Sequence, residues 1–172
     1  MSDKVTPYKD SNLGKKEQVT QMFDRISKDY DGLNRVISFG ADIQWRKKVV
    51  AILKDKKPKN IMDIATGTGD LAINLVKTGA NKIVGVDISP GMLEVGKKKI
   101  AERNLGQKVE MLVGDGENLP FDDDSFDAIT VAFGVRNFED LEKGLSEIYR
   151  VLKPKGTFVV LETSVPTKTP YK

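Results

Sequence analysis

The spacing of apolar positions changes several times along the chain, and each change marks an element. From Lys15 they fall at Val19, Met22, Phe23, Ile26, Tyr30, Leu33 and Ile37, in the three- and four-residue steps of an amphipathic helix, with a break expected near Gly32. A second helix is predicted after Gly40, because Ile43, Trp45, Val49, Val50 and Leu53 form a stripe that Asp55-Lys56-Lys57-Pro58 ends. Residues 61–65 are a short apolar run interrupted by one acid, Asp63, the pattern of a central strand buried on both faces of a parallel sheet. Thr66-Gly67-Thr68-Gly69 then makes a turn with little side-chain bulk. Asp70, Leu71, Ala72, Leu75 and Val76 begin a helix that Gly79 can close in the left-handed conformation.

The same alternation repeats downstream. Residues 82–87 read as a second strand ending in Asp87. Ser89 is an N-cap with Pro90 in the first helical position, and Leu93, Gly96 and Ile100 mark an inward face running to about Asn104. Residues 108–113 and 126–132 are predicted strands. After Phe133-Gly134-Val135-Arg136-Asn137 comes a helix with Leu141, Leu145, Ile148 and Leu152 on one face, and Asn137 with Asp140 resembles a capping box. Lys153-Pro154-Lys155-Gly156 is expected to stop that helix before a fifth strand over 157–162, with Pro166 and Pro170 beyond it. Strands alternating with helices at this spacing imply right-handed crossovers and an α/β fold, a Rossmann-like doubly wound parallel sheet in the order 3-2-1-4-5. The chain divides into a mobile arm over 1–14, two N-terminal helices over 15–57 expected to form a lid on the ligand edge, and a core over 58–172.

Composition narrows the chemistry. The 172 residues, 39% hydrophobic and 31% charged, suit one globular domain. The absence of cysteine removes disulfides and thiolate metal sites, and the absence of histidine removes imidazole acid/base chemistry and the usual zinc sites. No metal is expected, and a general base must be a carboxylate, tyrosine, lysine or bound water. The net charge of +3 is mild, and the lysines at 54–59, 97–99 and 153–172 are dispersed, so no nucleic-acid partner is expected. No apolar run approaches the ~20 residues of a membrane span and no signal-peptide core precedes the helices. The expectation is an intracellular, cytoplasmic protein, at most peripheral to the inner face of the membrane.

The glycine turn, Gly67-Thr68-Gly69-Asp70-Leu71-Ala72, fits the G-x-G-x-x-A nucleotide fingerprint, with Asp87 where a ribose-binding acid belongs. Asp63 places a carboxylate at the end of the first strand, able to face an amino-acid ammonium. Asp115, after the third strand, is placed to accept from an adenine amino group. Three acids around one cleft suit a cationic, phosphate-free nucleoside, S-adenosylmethionine, better than NAD.

Those stretches, D-I-A-T-G-T-G-D, V-G-V-D-I-S-P-G-M-L, G-D-G-E-N-L-P-F-D-D-D-S-F-D-A-I-T and R-V-L-K-P-K-G, resemble the class I S-adenosylmethionine-dependent methyltransferases. Tyr30-Asp31-Gly32-Leu33-Asn34, Ser38-Phe39-Gly40 and Trp45-Arg46, with Phe133-Gly134-Val135-Arg136-Asn137, resemble more narrowly the UbiE-type demethylmenaquinone and 2-polyprenyl-benzoquinol C-methyltransferases. The resemblance implies that Thr68, Asp87, Asp115 and Gly116 occupy cofactor positions, with Ile88 beside Asp87, and that Gly67 and Gly69 allow close approach. It also implies a polyprenyl quinol substrate, most closely demethylmenaquinol, methylated on a ring carbon. Arg136 would stabilise the phenolate, Asn137 and Tyr30 would hold the ring, and water would take the proton. The plain structural reading of Arg136 is a helix-start arginine paired with a carboxylate. Asp42-Ile43 stands where a basic pair is usual in this family, and Lys155 where a glycine is. Relatives of this kind continue past strand five with a helix and two more strands, so the chain is expected to be a piece of a longer protein, with an open edge compatible with a homodimer. Methylation of another small molecule, or binding of cofactor or a partner without catalysis, are the competing readings.

Overall fold

The computed structural model describes residues 7–8 and 12–163. The amino-terminal arm lies mostly outside them, as do Pro166 and Pro170. The elements run α1 (Lys15–Ile26), α2 (Tyr30–Ile37), α3 (Ala41–Lys56), β1 (Asn60–Ile64), α4 (Asp70–Leu75), β2 (Lys82–Asp87), α5 (Pro90–Glu102), β3 (Val109–Val113), β4 (Phe126–Ala132), α6 (Leu141–Val151) and β5 (Leu152–Leu161), with short 3-10 turns at Val76–Thr78 and Val135–Asn137. All strand pairs are parallel and the order is β3-β2-β1-β4-β5, as the alternation of periods predicts.

β1 is central because its sequence tolerates no water on either side. Ile61 packs with Leu53, Leu75, Ile83 and Leu93 on one face, while Met62 and Ile64 pack with Val84, Val86, Ile129 and Ile148 on the other. This alternation is the period-two geometry of a strand between two layers of helices. Ser89 caps α5 as expected, its hydroxyl accepting from the Met92 amide at 3.2 Å. Gly79 closes the turn after α4 at φ +85.

Three local expectations are corrected. The first amphipathic stretch breaks at residues 27–29 rather than near Gly32, which lies inside α2. The Ser27 hydroxyl donates to the Asp24 carbonyl at 3.0 Å and the Asp29 amide to the Ile26 carbonyl at 3.0 Å, so local bonds end α1 there. Asn137 ends a 3-10 turn and does not cap α6; Asp140 does, accepting from the Lys143 amide at 3.0 Å. Lys153-Pro154-Lys155-Gly156 does not separate α6 from the last strand but belongs to β5. The register slips between the pairs Phe126 with Leu152 and Ala128 with Thr157, and Lys155 takes φ +65, so the extra residues bulge out of the ladder. Pro154 is tolerated there because β5 lies at the sheet edge.

Candidate functional site

Crossovers from β1 and from β4 leave in opposite directions along the sheet, and the crevice between their carboxyl ends is where such folds hold ligands. The backbone there is unusual. Ala65 and Phe133, just past β1 and β4, have φ +53 and +57. A side chain on Gly134 would lie 2.4 Å from the Ala65 Cβ, so only glycine lets the two strand ends approach. Gly69, at φ +77, has the Met111 Cε 2.0 Å from where its own Cβ would stand. The turn is therefore pressed against the sheet, with its backbone bare toward the crevice.

The acids singled out in the sequence converge here. Asp63 is 1% exposed, and its two oxygens accept from the hydroxyls of Thr66 (2.7 Å) and Thr130 (2.5 Å). Burial lifts its pKa to about 6; the threonine bonds and the Arg46 charge oppose this, and the Asp87 charge adds to it. Asp87 accepts from the amides of Ser89 (2.9 Å) and Gly67 (2.8 Å), tying the end of β2 to the glycine turn. Burial pushes its pKa up despite those bonds, with the Asp24 charge adding to the rise. Asp87, Ile88, Asp115 and Gly116 line one cleft, together with Val19 and Phe23 of α1 and Asn137, enclosing about 470 Å³ counted to open solvent. Gly67, Thr68 and Asp63 line an adjoining pocket with Tyr30 and Arg46.

Residues from the N-terminal helices reach into both spaces; Asp31 and Arg46 lie in the stretches that carry the family resemblance, whereas Lys16 and Asp24 lie in no such stretch. Lys16 pairs with Asp115 at 2.6 Å and Glu117 at 3.4 Å. Burial opposes its charge, but the two carboxylates outweigh burial and raise its pKa. Asp24 accepts from the Ser89 hydroxyl at 2.6 Å and the Gly91 amide at 2.9 Å, at the start of α5. Asp31 accepts from the Thr68 hydroxyl at 2.6 Å and pairs with Lys99, which reaches Asp70 at 2.7 Å. Arg46 had a further visible signal, the spacing from Asp42 that sets their side chains together on α3, where they pair at 2.5 Å.

A third space, with aromatic side chains in its wall, adjoins the pocket at Gly67. It encloses about 730 Å³ counted to open solvent and is lined by Tyr30, Ile37, Trp45, Phe133 and Arg136 among others, with the Trp45 and Phe133 rings 6.0 Å apart. Arg136 has a half-exposed side chain that pairs with Glu162 at the end of β5, as its plain structural reading expects. The other Glu162 oxygen is buried without a hydrogen-bond partner among the described residues. Tyr30 lines both this space and the pocket at Gly67, Asn137 lines the cleft at Asp87, and the two meet in a small pocket between Gly67 and Asp87. Among the described residues no group of acids is arranged to hold a metal ion.

A parallel sheet in this order, with a glycine turn and an acid-lined crevice at its switch point, is the fold of the class I methyltransferases. Among solved structures, a SAM-dependent methyltransferase of Thermotoga maritima superposes with a TM-score of 0.64 at 28% identity, over 81% of this chain and 59% of that one. The model of the ubiE/COQ5 methyltransferase family matches residues 11–172, and the chain belongs to that family. Demethylmenaquinone methyltransferase of Bacteroides fragilis is 51% identical over 172 residues, covering 99% of this chain and 69% of that protein. Ubiquinone/menaquinone biosynthesis C-methyltransferase UbiE of Geotalea daltonii is 47% identical over 154 residues, covering 88% of this chain and 66% of its own length.

Proposed function

We propose that this chain methylates a ring carbon of a polyprenyl quinol, converting demethylmenaquinol to menaquinol, with S-adenosylmethionine as the methyl donor. The observation that carries this reading is the junction of two unlike spaces at one end of the sheet. One is acid-lined and shaped by a glycine turn; the other is aromatic and holds Arg136; Tyr30 borders both.

The residues present fit the donor. Asp87 and Asp115 offer carboxylate oxygens for ribose hydroxyls and an adenine amino group, with Ile88 and Gly116 beside them. Asp63 is the carboxylate for the ammonium, using lone pairs its threonine partners leave over, while Gly67, Thr68 and Gly69 give close backbone approach. Bound there, the sulfonium supplies an electrophilic methyl group. The chain's own residues orient the ring and stabilise its charge. Arg136 faces the phenolate oxygen formed when a quinol hydroxyl loses its proton to water, Tyr30 and Asn137 hold the ring, and the closed lid keeps other water out.

Among the described residues no helix is long and apolar enough to cross a membrane. Val36, Ile37 and Phe39 are 74%, 76% and 97% exposed, and Ile37 borders the aromatic space. That patch supports a cytoplasmic protein touching the membrane at its surface, where a prenyl tail would reside.

The test is a quinol methylation assay on this chain and on Arg136→Ala, with donor affinity measured separately by calorimetry. Turnover should fall roughly a hundredfold while donor affinity stays within about threefold. Normal turnover in the variant would remove Arg136 from the mechanism, and methyl transfer only to acceptors other than quinols would overturn the substrate.

A further inference from the structure

The pocket at the glycine turn is crowded with negative charge, yet the donor proposed for it carries a carboxylate of its own. Asp63 and Asp70 line this pocket, and Asp31 and Asp87 bond to the turn that forms its wall. A carboxylate desolvated there needs a cation, and among the described residues Arg46 is the one cationic side chain lining the space. We infer that Arg46, reaching in from the lid helix α3, binds the α-carboxylate of the methyl donor and makes the site selective for a ligand that has one. This rests on the donor proposed above.

The geometry is that of a held guanidinium with donors to spare. Arg46 is 8% exposed, unusual for an arginine unless its charge is answered. Its ion pairs, to Asp42 at 2.5 Å and Asp70 at 3.6 Å, both run through Nη1. Asp42 is fixed in turn by the Ser38 hydroxyl at 2.8 Å. A guanidinium has five N–H donors, so Nε and Nη2 remain for an anion, which a carboxylate accepts in parallel. The other cations near the crevice are engaged or placed elsewhere. Lys99 is engaged by Asp31, Asp70 and Thr68, Lys16 sits at Asp115 in the neighbouring cleft, and Arg136 lines the aromatic space rather than this pocket. Ammonium and carboxylate would then be read by neighbours of opposite sign, Asp63 from the sheet and Arg46 from the lid. The plain alternative is that Arg46 only ties α3 to the turn at Asp70.

Calorimetric titration with S-adenosylmethionine and with its decarboxylated analogue, on the wild-type chain, Arg46→Gln and Arg46→Lys, separates these. The wild-type chain should prefer the carboxylated ligand by roughly tenfold to a hundredfold. In Arg46→Gln that preference should vanish, with affinity for the decarboxylated ligand within about threefold of wild type. Arg46→Lys should retain part of it, and this variant gives the reading if the glutamine protein does not fold. Equal affinities in the wild-type chain, or equal weakening of both ligands in the variants, would overturn the assignment of Arg46 while leaving the donor in place. Failure of the wild-type chain to bind either ligand would overturn the donor and the assignment together.

Discussion

Replacing Asp63 by asparagine should remove a pH dependence of stability that the wild-type chain carries between pH 5 and 7. Burial raises the Asp63 pKa from 3.8 to about 6 in the folded chain. The folded state therefore binds a proton more tightly than the unfolded state does. The stabilisation from protonation is fully present below the unfolded pKa and is lost as pH rises through about 6. A shift of this size is worth about 3 kcal/mol, of which about 1.3 kcal/mol appears between pH 7 and pH 5. No histidine contributes to this window. Asp42, Asp127 and Glu147 have lowered pKa values, so their contributions fade only in more acid solution. Asp87 is shifted upward like Asp63 and leaves a residual slope of the same sign. Asparagine keeps the shape of the side chain, and the hydroxyls of Thr66 and Thr130 can rotate to serve it. Relief of the buried charge should outweigh the weaker hydrogen bonds, making Asp63→Asn more stable by about 1 kcal/mol at pH 7.5. Urea unfolding without ligand at pH 5, 6, 7 and 8 measures both quantities. A wild-type chain that loses stability from pH 7 to pH 5, or a slope unchanged in Asp63→Asn, would refute the reasoning.

Gly69→Ala should destabilise the chain by about 1–2 kcal/mol, read as a lower urea midpoint, because φ +77 strains any residue with a Cβ, while the end of the Met111 side chain, 2.0 Å from the added methyl, must swing aside. Lys16→Met should leave donor affinity unchanged or tighter by calorimetry, since Lys16 occupies the Asp115 oxygen an adenine amino group would use; a loss above tenfold would place Lys16 among the ligand's own contacts. Val36→Ser with Phe39→Ser should lower sedimentation with phospholipid vesicles several-fold without shifting the urea midpoint, both side chains being exposed.

The sheet was legible because each strand carries its own evidence. The apolar run around Asp63, the acid ending β2 and the Ser89-Pro90 cap are local signals, and local periodicity survived in the fold. Where local signals failed, a contact made elsewhere decided. Lys153-Pro154-Lys155-Gly156 has the composition of a helix stop, yet pairing with β4 draws it into β5 as a bulge. Asn137 has the chemistry of a cap, but the turn it ends leaves Asp140 at the start of α6. The acids of the crevice were visible because each lies in, ends or follows a predicted strand. Lys16 and Asp24 lie on a helix whose polar positions look like an ordinary solvated face until it docks, and the stretches holding Asp31 and Arg46 marked the family without giving these two side chains a role.

That docking uses the same atoms a ligand would want. Lys16 holds Asp115, Asp31 holds Thr68, and Asp24 holds the serine that caps the helix beside Asp87. The side chains of Lys16 and Asp115 are each about a third exposed, a setting in which an ion pair contributes little stability. An exchange of Lys16 for a ligand amine therefore loses little, while Val19 and Phe23 keep the helix seated on the cleft. The polar contacts of α1 and α2 thus seat these helices through Asp115 and Thr68, two of the side chains assigned above to the donor.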